Sequence, residues 1–541
     1  MKWIALLLAV LASATFAGEV ETELASAPQF KGLGRHHHPI TTKWKLAQRY
    51  FDQGMVLLYN FNHAEAIRSF EAAAKVDPEC AMAYWGIALA LGPNINAPME
   101  ESAVTKAWEA IQRAIALKEK ASQPERDYID ALATRYTKEP VNDRSELDQA
   151  FARATEVVAK KYPEDMDAQV LYAEALMDTS PWNYWQEDLT AKPNAAAALQ
   201  ALEPVLRSKK AHMGADHLYI HLVEAGPTPE KGVPSAERIG SLAPRAGHLV
   251  HMASHIYVRV GRYHEASSVN EKAVKVDEGY IKQVNPTGLY PGGYYPHNLH
   301  FLWYATDLEG RSELSIQTAR KLSNYTLDLR CGAVEGPRQR YLPLLANARF
   351  GKWNEVISST PPARDYPFDL AMSHYARGVA FAALGKVQEA ELELQQFVAL
   401  KESETVKALD NPYFPGSGIL AVAEPMLRGK IAAARGESGK AVEQLREAVK
   451  QEKALPYMEP PFWYYSARLS LGAALLKAGE AAEAEKVFRE DLKSLPANGW
   501  ALYGLHESLK AQKKQSEALV VKKQFDRAWK HADVNLDLDW F

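Results

Sequence analysis

Apolar and alanine-rich positions recur at spacings of three and four along most of the chain, which places them on one face of an α-helix. Strict alternation of apolar and polar residues, the pattern typical of strands, is nearly absent. The periodic stretches are about 12 to 16 residues long, and short turns containing Gly or Pro join them. The pattern therefore predicts an all-α protein made of stacked helical hairpins.

One hairpin near the start of the periodic region shows how its residues are expected to pack. Its first helix carries Gly54, and its second carries Ala66 and Phe70 before Pro78 ends it, because proline has no N–H for the helical hydrogen-bond ladder. The small residues allow the paired helices to approach closely, and Phe70 fills the space between hairpins. This order resembles the tetratricopeptide repeat, a helical hairpin of roughly 34 residues. The resemblance implies a right-handed α-solenoid of stacked hairpins that binds a partner in its concave groove.

The same order of small, turn and large residues returns along the chain. We expect roughly nine to eleven hairpins between residues 46 and 530. They are predicted to form an array with insertions over 46–360 and a more regular array over 361–541. The residues that mark the later repeats are Gly261 and Ala266; Gly378, Gly385, Ala390 and Leu394; Gly429, Gly436, Ala441, Leu445 and Ala448; Gly472, Gly479, Ala484, Phe488 and Pro496; and Trp500, Tyr503 and Ala518.

Four segments interrupt the repeats, and all are rich in Pro, Gly, Asn or aromatic residues. They are 92–98, 179–193, 284–296 and 410–418. Insertions in solenoids tend to project from one face and often carry binding residues, although plain connecting loops are the alternative.

The N-terminus has the pattern of a signal peptide. Met1 and Lys2 supply a short positive region, an apolar run reaches Ala12, and Thr15 and Ala17 are small residues suited to cleavage. We predict a signal peptide over 1–17, an extended segment over 18–45, and export to the periplasm or out of the cell, as in exported bacterial tetratricopeptide proteins. A buried first helix is the alternative. No later apolar run is long enough to span a bilayer, so the mature chain is predicted to have no transmembrane segment.

Charge and cysteine content narrow the possible partners. The net charge is −4, from 63 basic and 67 acidic residues, so there is no basic excess for a phosphate backbone. Nucleic acid is therefore not expected, and a protein, peptide or small-molecule ligand is. Cys80 and Cys331 could pair in an oxidising compartment, or they are two buried thiols far apart in the sequence.

Histidines are concentrated in the middle of the chain at spacings that share a helix face. Imidazole is the commonest protein ligand for Zn, Cu and Fe, and the pattern does not choose among these metals. In the tetratricopeptide family the first helix of each hairpin lines the groove, so stripes on successive first helices are expected to converge. A metal-free pocket for a polar ligand and a structural network are the alternatives. The predicted metal ligands are His217, His221, His248, His251, His255, His297, His300 and Glu224.

Further residues are predicted to contact a ligand in the same pocket. Tyr294 and Tyr295 belong to a segment rich in Gly and Tyr, 288–296, that we expect to close over the histidines as a lid. Glu174 and Tyr257 are the other predicted ligand contacts. The run 36–38, three consecutive histidines, is either a metal-binding tail or simply exposed.

The function is expected to be ligand, peptide or protein binding in the groove, with a histidine-rich transition-metal site at residues 217–300. The alternative is a metalloenzyme, a hydrolase or an oxidoreductase, built on the same repeats. The sequence does not decide between them, because it contains no known catalytic motif. Leu218 follows His217 where a zinc-protease helix requires Glu, and no nucleophile elbow or phosphate-binding glycine loop is present.

Overall fold

The computed structural model describes residues 27–325, 339–411 and 414–541. These residues are mostly helical, and the extended pairs among them are isolated bridges rather than strands of a sheet. The chain divides into two compact units, Met1–Ala253 and Ser254–Phe541. Both are built of stacked helical hairpins, which confirms the predicted all-α solenoid class.

The first unit contains helices that begin after the extended N-terminal segment. They are α1 (Lys45–Tyr59), α2 (His63–Val76), α3 (Ala81–Leu91), α4 (Val104–Leu117), α5 (Gln123–Ala133), α6 (Ser145–Lys161), α7 (Met166–Asp178), α8 (Pro193–Arg207), α9 (Met213–Glu224), α10 (Val233–Leu242) and α11 (Gly247–His251).

The remaining helices begin at the boundary residue Ala253 and continue to the C-terminal end. They are α12 (Ala253–Arg259), α13 (Tyr263–Val284), α14 (Tyr295–Leu308), α15 (Ser312–Tyr325), α16 (Leu342–Arg349), α17 (Trp353–Ser358), α18 (Pro367–Ala383), α19 (Val387–Lys401), α20 (Glu404–Lys407), α21 (Gly416–Ala434), α22 (Ser438–Lys453), α23 (Ala467–Lys477), α24 (Ala481–Ser494), α25 (Gly499–Ala511) and α26 (Gln515–Ala528).

A buried phenylalanine between two glycines holds successive hairpins together. A Cβ added to Gly54 in α1 or to Gly86 in α3 would lie 2.4 Å or 2.6 Å from the ring of Phe70 in α2. In the second unit, Gly472 and Gly504 stand in the same relation to Phe488, at 2.4 Å and 2.2 Å. The ring therefore occupies the space that two side chains would otherwise take, as the sequence predicts.

The turn between the two helices of a hairpin uses a residue with positive φ. Gly261, Gly310, Gly385 and others adopt φ between 66° and 82° at this position, where a glycine has no Cβ to clash. In the first hairpin the same turn position holds Phe61, with φ of 53°. A bulky residue in this conformation is strained, and such strain is commonly retained for function.

The described part of the predicted extended segment lies along the first unit without forming a helix. Phe30 N–H donates to Gln53 in α1 at 2.8 Å, and Thr41 N–H donates to Glu125 in α5 at 2.6 Å. Between them, the backbone carbonyl of Gly32 accepts from the Arg245 amide at 3.1 Å. Residues 27–44 thus connect the start of the array to later hairpins of the same unit.

Several predictions fall partly or wholly outside the described residues. They include the signal peptide over 1–17, the first part of the extended segment, and Cys331 with its proposed pairing. Cys80 itself is buried, and burial raises the pKa of its thiol to about 12. Within the three described ranges, none of the helices combines the length and the apolar character needed to cross a bilayer.

Candidate metal centre

Three histidines from two helices of the first unit converge at one buried point. His217 and His221 lie one turn apart on α9, and His248 lies on α11. The Nε2 atom of His217 is 3.1 Å from Nε2 of His221 and 3.1 Å from Nε2 of His248. Each of the three residues is only 1% exposed. The structure therefore brings together three of the predicted ligands, with one nitrogen from each within 4.8 Å of the others.

The turn after α1 positions this cluster. The carbonyl oxygen of Tyr59 accepts from Nδ1 of His217 at 2.7 Å, and the Asn60 side chain accepts from the amide of Leu249 in α11 at 3.1 Å. Helix α9 approaches Tyr59 closely because Gly214 has no side chain, since a Cβ there would lie 2.6 Å from the Tyr59 ring. One turn therefore fixes both helices that carry the histidines.

The outer nitrogens determine where the protons of two rings lie. A carbonyl oxygen only accepts, so Nδ1 of His217 carries a proton. Nδ1 of His221 lies 2.8 Å from Oε1 of Glu224, and a carboxylate also accepts, so this Nδ1 carries a proton too. In the neutral rings, the Nε2 atoms of His217 and His221 then present lone pairs towards each other. This is the tautomer, and the type of outer partner, that metal-ligating histidines have.

Glu224 therefore lies behind the ring of His221 rather than among the inner nitrogens. It is fully buried, and its contact with Nδ1 orients the imidazole. Glu224 is predicted from the sequence as a metal ligand, and in the structure its Oε1 contacts the outer nitrogen, Nδ1, of His221.

Phe61 covers the cluster and was missed by the sequence analysis. Its ring centroid lies 4.4 Å from that of His217, and its ring stacks on His221 and His248 at 6.3 Å and 5.6 Å. The signal was present in the repeat frame, because Phe61 stands at the turn position where Gly261, Gly310, Gly385 and others stand in later hairpins. The turn residue with the strained backbone is thus the same residue that packs on the histidine cluster.

The insertion at 179–193 lies beside the same cluster. The Trp185 side chain donates to the carbonyl of Leu222 at 2.8 Å, which attaches the loop to α9. The Trp182 and His221 rings are nearly perpendicular, with their centroids 5.1 Å apart. Trp182 has a positive φ of 61° and is 39% exposed. An exposed tryptophan held in this way provides an aromatic surface next to the histidines.

The other predicted histidines are distributed over both units. In the first unit, His251 is buried and its ring lies 5.7 Å from that of His248. In the second unit, the rings of His255 and His297 lie 5.6 Å apart, and Nδ1 of His255 is 3.2 Å from Glu459. His300 stacks on Trp303, and desolvation lowers the pKa of its imidazole to about 4.

The residues predicted to contact a ligand are mostly packed among other residues of the protein. Burial, followed by the charge of Asp178, raises the pKa of the Glu174 carboxyl to about 8. In the second unit, the guanidinium of Arg262 lies over the Tyr257 ring at 4.5 Å. Tyr294 and Tyr295 are 5% and 3% exposed, and the segment before α14 forms a π-helical turn, Tyr290–Tyr294. This segment is thus packed into the second unit rather than projecting as an open loop.

The histidine run near the N-terminus is not simply exposed. His37 is exposed, but the side chains of His36 and His38 are each only 8% exposed and surround Asp167 at the start of α7. Asp167 accepts from Nδ1 of His38 at 2.8 Å and from Nε2 of His212 at 3.0 Å. The Tyr59 hydroxyl donates to the same carboxylate. Asp167 and His212 were not predicted as partners of this run, because they are distant from it in sequence.

The ionisation of Asp167 depends on the three histidines around it, His36, His38 and His212, and that of His36 and His38 depends on Asp167. Burial alone would raise the pKa of the Asp167 carboxyl, but His36, His212 and His38 hold it well below its usual range. Burial alone would lower the pKa of His36 and of His38, but Asp167 raises both above the usual value of 6.5. The pair of histidines is therefore biased towards the protonated form.

Comparison with known families identifies the repeat. The family model for the tetratricopeptide repeat matches residues 51–91 and 426–498. These two segments contain tetratricopeptide repeats. A search of curated proteins finds no match to the sequence. Because such repeats stack to form extended concave surfaces, they indicate a role in binding a protein or another ligand.

Solved structures of helical-repeat proteins show a weak likeness to the chain. The human IFIT1 dimer with m7Gppp-AAAA is 13% identical, with 90% of this chain and 91% of that chain covered and a TM-score of 0.30. Yeast Tom70 is 13% identical, with 91% and 93% covered and a TM-score of 0.30. The Cut9–Hcn1 hetero-tetramer of APC/C is 12% identical, with 90% and 94% covered and a TM-score of 0.29. Likeness at this level gives no information about what this chain binds.

Proposed function

We propose that this chain is an exported tetratricopeptide-repeat binding protein in which His217, His221 and His248 hold a transition-metal ion. The ion is expected to be Zn, Cu or Fe, since all three ligands are imidazoles. Three protein ligands leave a coordination position for a donor atom of the bound ligand. The repeats supply the surrounding surface for a peptide, protein or small molecule.

The mutual orientation of the inner nitrogens is the observation that supports this proposal. With Nδ1 protonated in His217 and His221, two lone pairs face each other across 3.1 Å. Nε2 of His248 approaches the same Nε2 of His217 at 3.1 Å. A metal ion with Zn–N bonds of about 2.0 to 2.1 Å in tetrahedral geometry places its nitrogens roughly 3.3 Å apart, which is close to this spacing.

A purely structural network accounts less well for the geometry. In a hydrogen-bond network, a proton on Nε2 of His221 or of His248 would be donated to Nε2 of His217. That single hydrogen bond accounts for one of the two 3.1 Å contacts. The second contact would then require the single in-plane lone pair of His217 to accept from two neighbours. A cation bound to all three nitrogens satisfies the lone pairs together, which favours the metal over a network.

Trp182 supports a ligand-binding role for the centre. Its side chain is partly exposed, and its ring is nearly perpendicular to that of a proposed metal ligand, His221. A peptide or small molecule that donates to the metal can therefore stack on the indole ring, and aromatic side chains supply much of the contact energy in such sites.

Metal analysis of the purified full chain tests the proposal. The protein isolated from its native compartment is expected to contain about one equivalent of one transition metal, and His221→Ala less than about a tenth of an equivalent. His531→Ala is the matched control, because His531 is exposed near the C-terminal end and distant in sequence from the cluster. Absence of metal from the wild-type protein after loading with Zn, Cu and Fe salts, or equal loss in both variants, would contradict it.

A further inference from the structure

A cavity of about 700 Å³ lies in the first unit, apart from the proposed metal ligands. Residues 35–39 of the extended segment form one wall, and the beginnings of α5, α7 and α9 form the other. This volume is within the range of small-molecule pockets, roughly 300–1,000 Å³. Side chains already cap two of these helix beginnings, Asp165 at α7 and His212 at α9.

Two carboxylates of the cavity, Glu125 and Asp165, already have their hydrogen bonds within the protein. Glu125 accepts from the Thr41 amide at 2.6 Å, from the Thr41 hydroxyl, and from the Ser122 amide at 2.6 Å. Asp165 accepts from the Tyr128 hydroxyl at 2.7 Å and from two backbone amides at the start of α7. These two groups are therefore committed to positioning helices.

Asp167 is committed in the same way. It accepts from His38, His212 and Tyr59, and Nε2 of His36 lies 3.4 Å from its Oδ1. The side chain of His36 is only 8% exposed, and this nitrogen makes no hydrogen bond within the described residues. One buried carboxylate is thus surrounded by three imidazoles, and among these His36 has the ring nitrogen with the longest contact to it.

Two cations at the cavity are not neutralised by the protein. Arg35 and Lys210 both line it and are exposed. Neither side chain forms an ion pair with any residue in the described ranges. By contrast, the buried carboxylate of Asp167 already contacts His36, His38 and His212. Glu164 is an exposed carboxylate on the rim. The charges that remain available to a ligand are therefore mainly positive.

The tautomer of His212 argues against a metal ion at this cluster. Nδ1 of His212 accepts from the Ala215 amide at 3.2 Å, so its proton lies on Nε2 and points to Asp167. A neutral ring with that tautomer has no lone pair on Nε2 for a metal. This is the opposite of His217, whose inner nitrogen presents a lone pair.

We propose that the cavity between residues 35–39 and the beginnings of α5, α7 and α9 is a second binding site, for a small molecule that carries a phosphate or carboxylate group. Arg35 and Lys210 bind the oxyanion at the mouth, and His36 approaches it from the base. None of these three residues is a proposed metal ligand, so the two sites can be changed separately by substitution.

Isothermal titration of the full chain with inorganic phosphate and, separately, with succinate tests the proposal. The wild-type protein is expected to bind at least one of them saturably with one site. Replacing Arg35 and Lys210 by Gln together removes two charge-assisted contacts, so the affinity is expected to fall about tenfold or more. Lys31 and Lys209 replaced by Gln form the matched control, because they are adjacent exposed cations that do not line the cavity.

The arms of the experiment also identify the chemistry of the ligand. Tighter binding of phosphate assigns a phosphorylated ligand, and tighter binding of succinate assigns a carboxylate. His221→Ala is expected to retain anion binding, which separates this site from an anion bound to the metal. No saturable binding of either anion, an equal loss in the control pair, or loss of binding in His221→Ala would overturn the proposal.

Discussion

Replacing Glu224 by Gln tests how the outer partner of His221 contributes to metal affinity. Glu224 is fully buried, and its carboxylate accepts from Nδ1 of His221 at 2.8 Å. Gln has the same length and keeps an oxygen that can accept this hydrogen bond. It removes the negative charge that makes the imidazole a stronger ligand.

The expected magnitude follows from the role of such partners. Losing the outer partner of a metal-ligating histidine lowers metal affinity by about 10- to 100-fold, or roughly 1.4 to 2.7 kcal/mol. Because Gln retains the hydrogen bond and loses only the charge, we expect a change near the lower end, about tenfold. Competition with a chromophoric chelator measures the affinity.

Glu309 provides the matched control for this prediction. It is also buried, and it contacts Nδ1 of His264 at 2.9 Å in the second unit, where the described residues show no group of metal-ligand side chains around it. Glu309→Gln is expected to leave metal affinity unchanged. An affinity of Glu224→Gln within about twofold of wild type, or a similar fall in both variants, would refute the reasoning.

Two further predictions concern stability. Gly472→Ala places a Cβ 2.4 Å from the Phe488 ring, so urea unfolding is expected to show a loss of about 1 to 3 kcal/mol, whereas Gly439→Ala, with no atom within 4 Å, is expected to be neutral or slightly stabilising. Equal effects would contradict this packing. The second prediction concerns pH. The ionised form of Asp167 stabilises the attachment of the extended segment above about pH 4, and the protonated forms of His36 and His38 stabilise it below about pH 6.5. The Thr41 amide is therefore expected to lose protection from hydrogen exchange, after correction for intrinsic rates, as pH rises through the raised pKa of the histidines. In Asp167→Asn this pH dependence is expected to be flatter. Identical pH profiles for the wild-type protein and the variant would contradict the prediction.

The hairpin and its packing could be predicted because the information is local. The small residues, the large ring and the turn position recur at fixed offsets, and Gly54 with Phe70 pack as the spacing indicates. The pairing of His217 with His221 is local too, since one helical turn separates them. These features depend on contacts within a hairpin or between adjacent hairpins.

The remaining parts of the site depend on contacts that no local pattern encodes. Tyr59 reaches His217 across 158 positions, and His38 reaches Asp167 across 129. The first contact joins the end of α1 to α9, and the second joins the extended segment to α7, so neither lies within one hairpin. Phe61 was detectable only as an exception to the turn pattern, and its contact with the histidines required the structure.

X-ray absorption at the edge of the bound metal tests the central claim most directly. We expect three imidazole nitrogens at about 2.0 to 2.1 Å in the wild-type protein, and one fewer in His248→Ala that has been loaded with excess metal. Spectra in which oxygen or sulfur predominates, or in which His248→Ala leaves the number of imidazole ligands unchanged, would contradict a centre built from His217, His221 and His248.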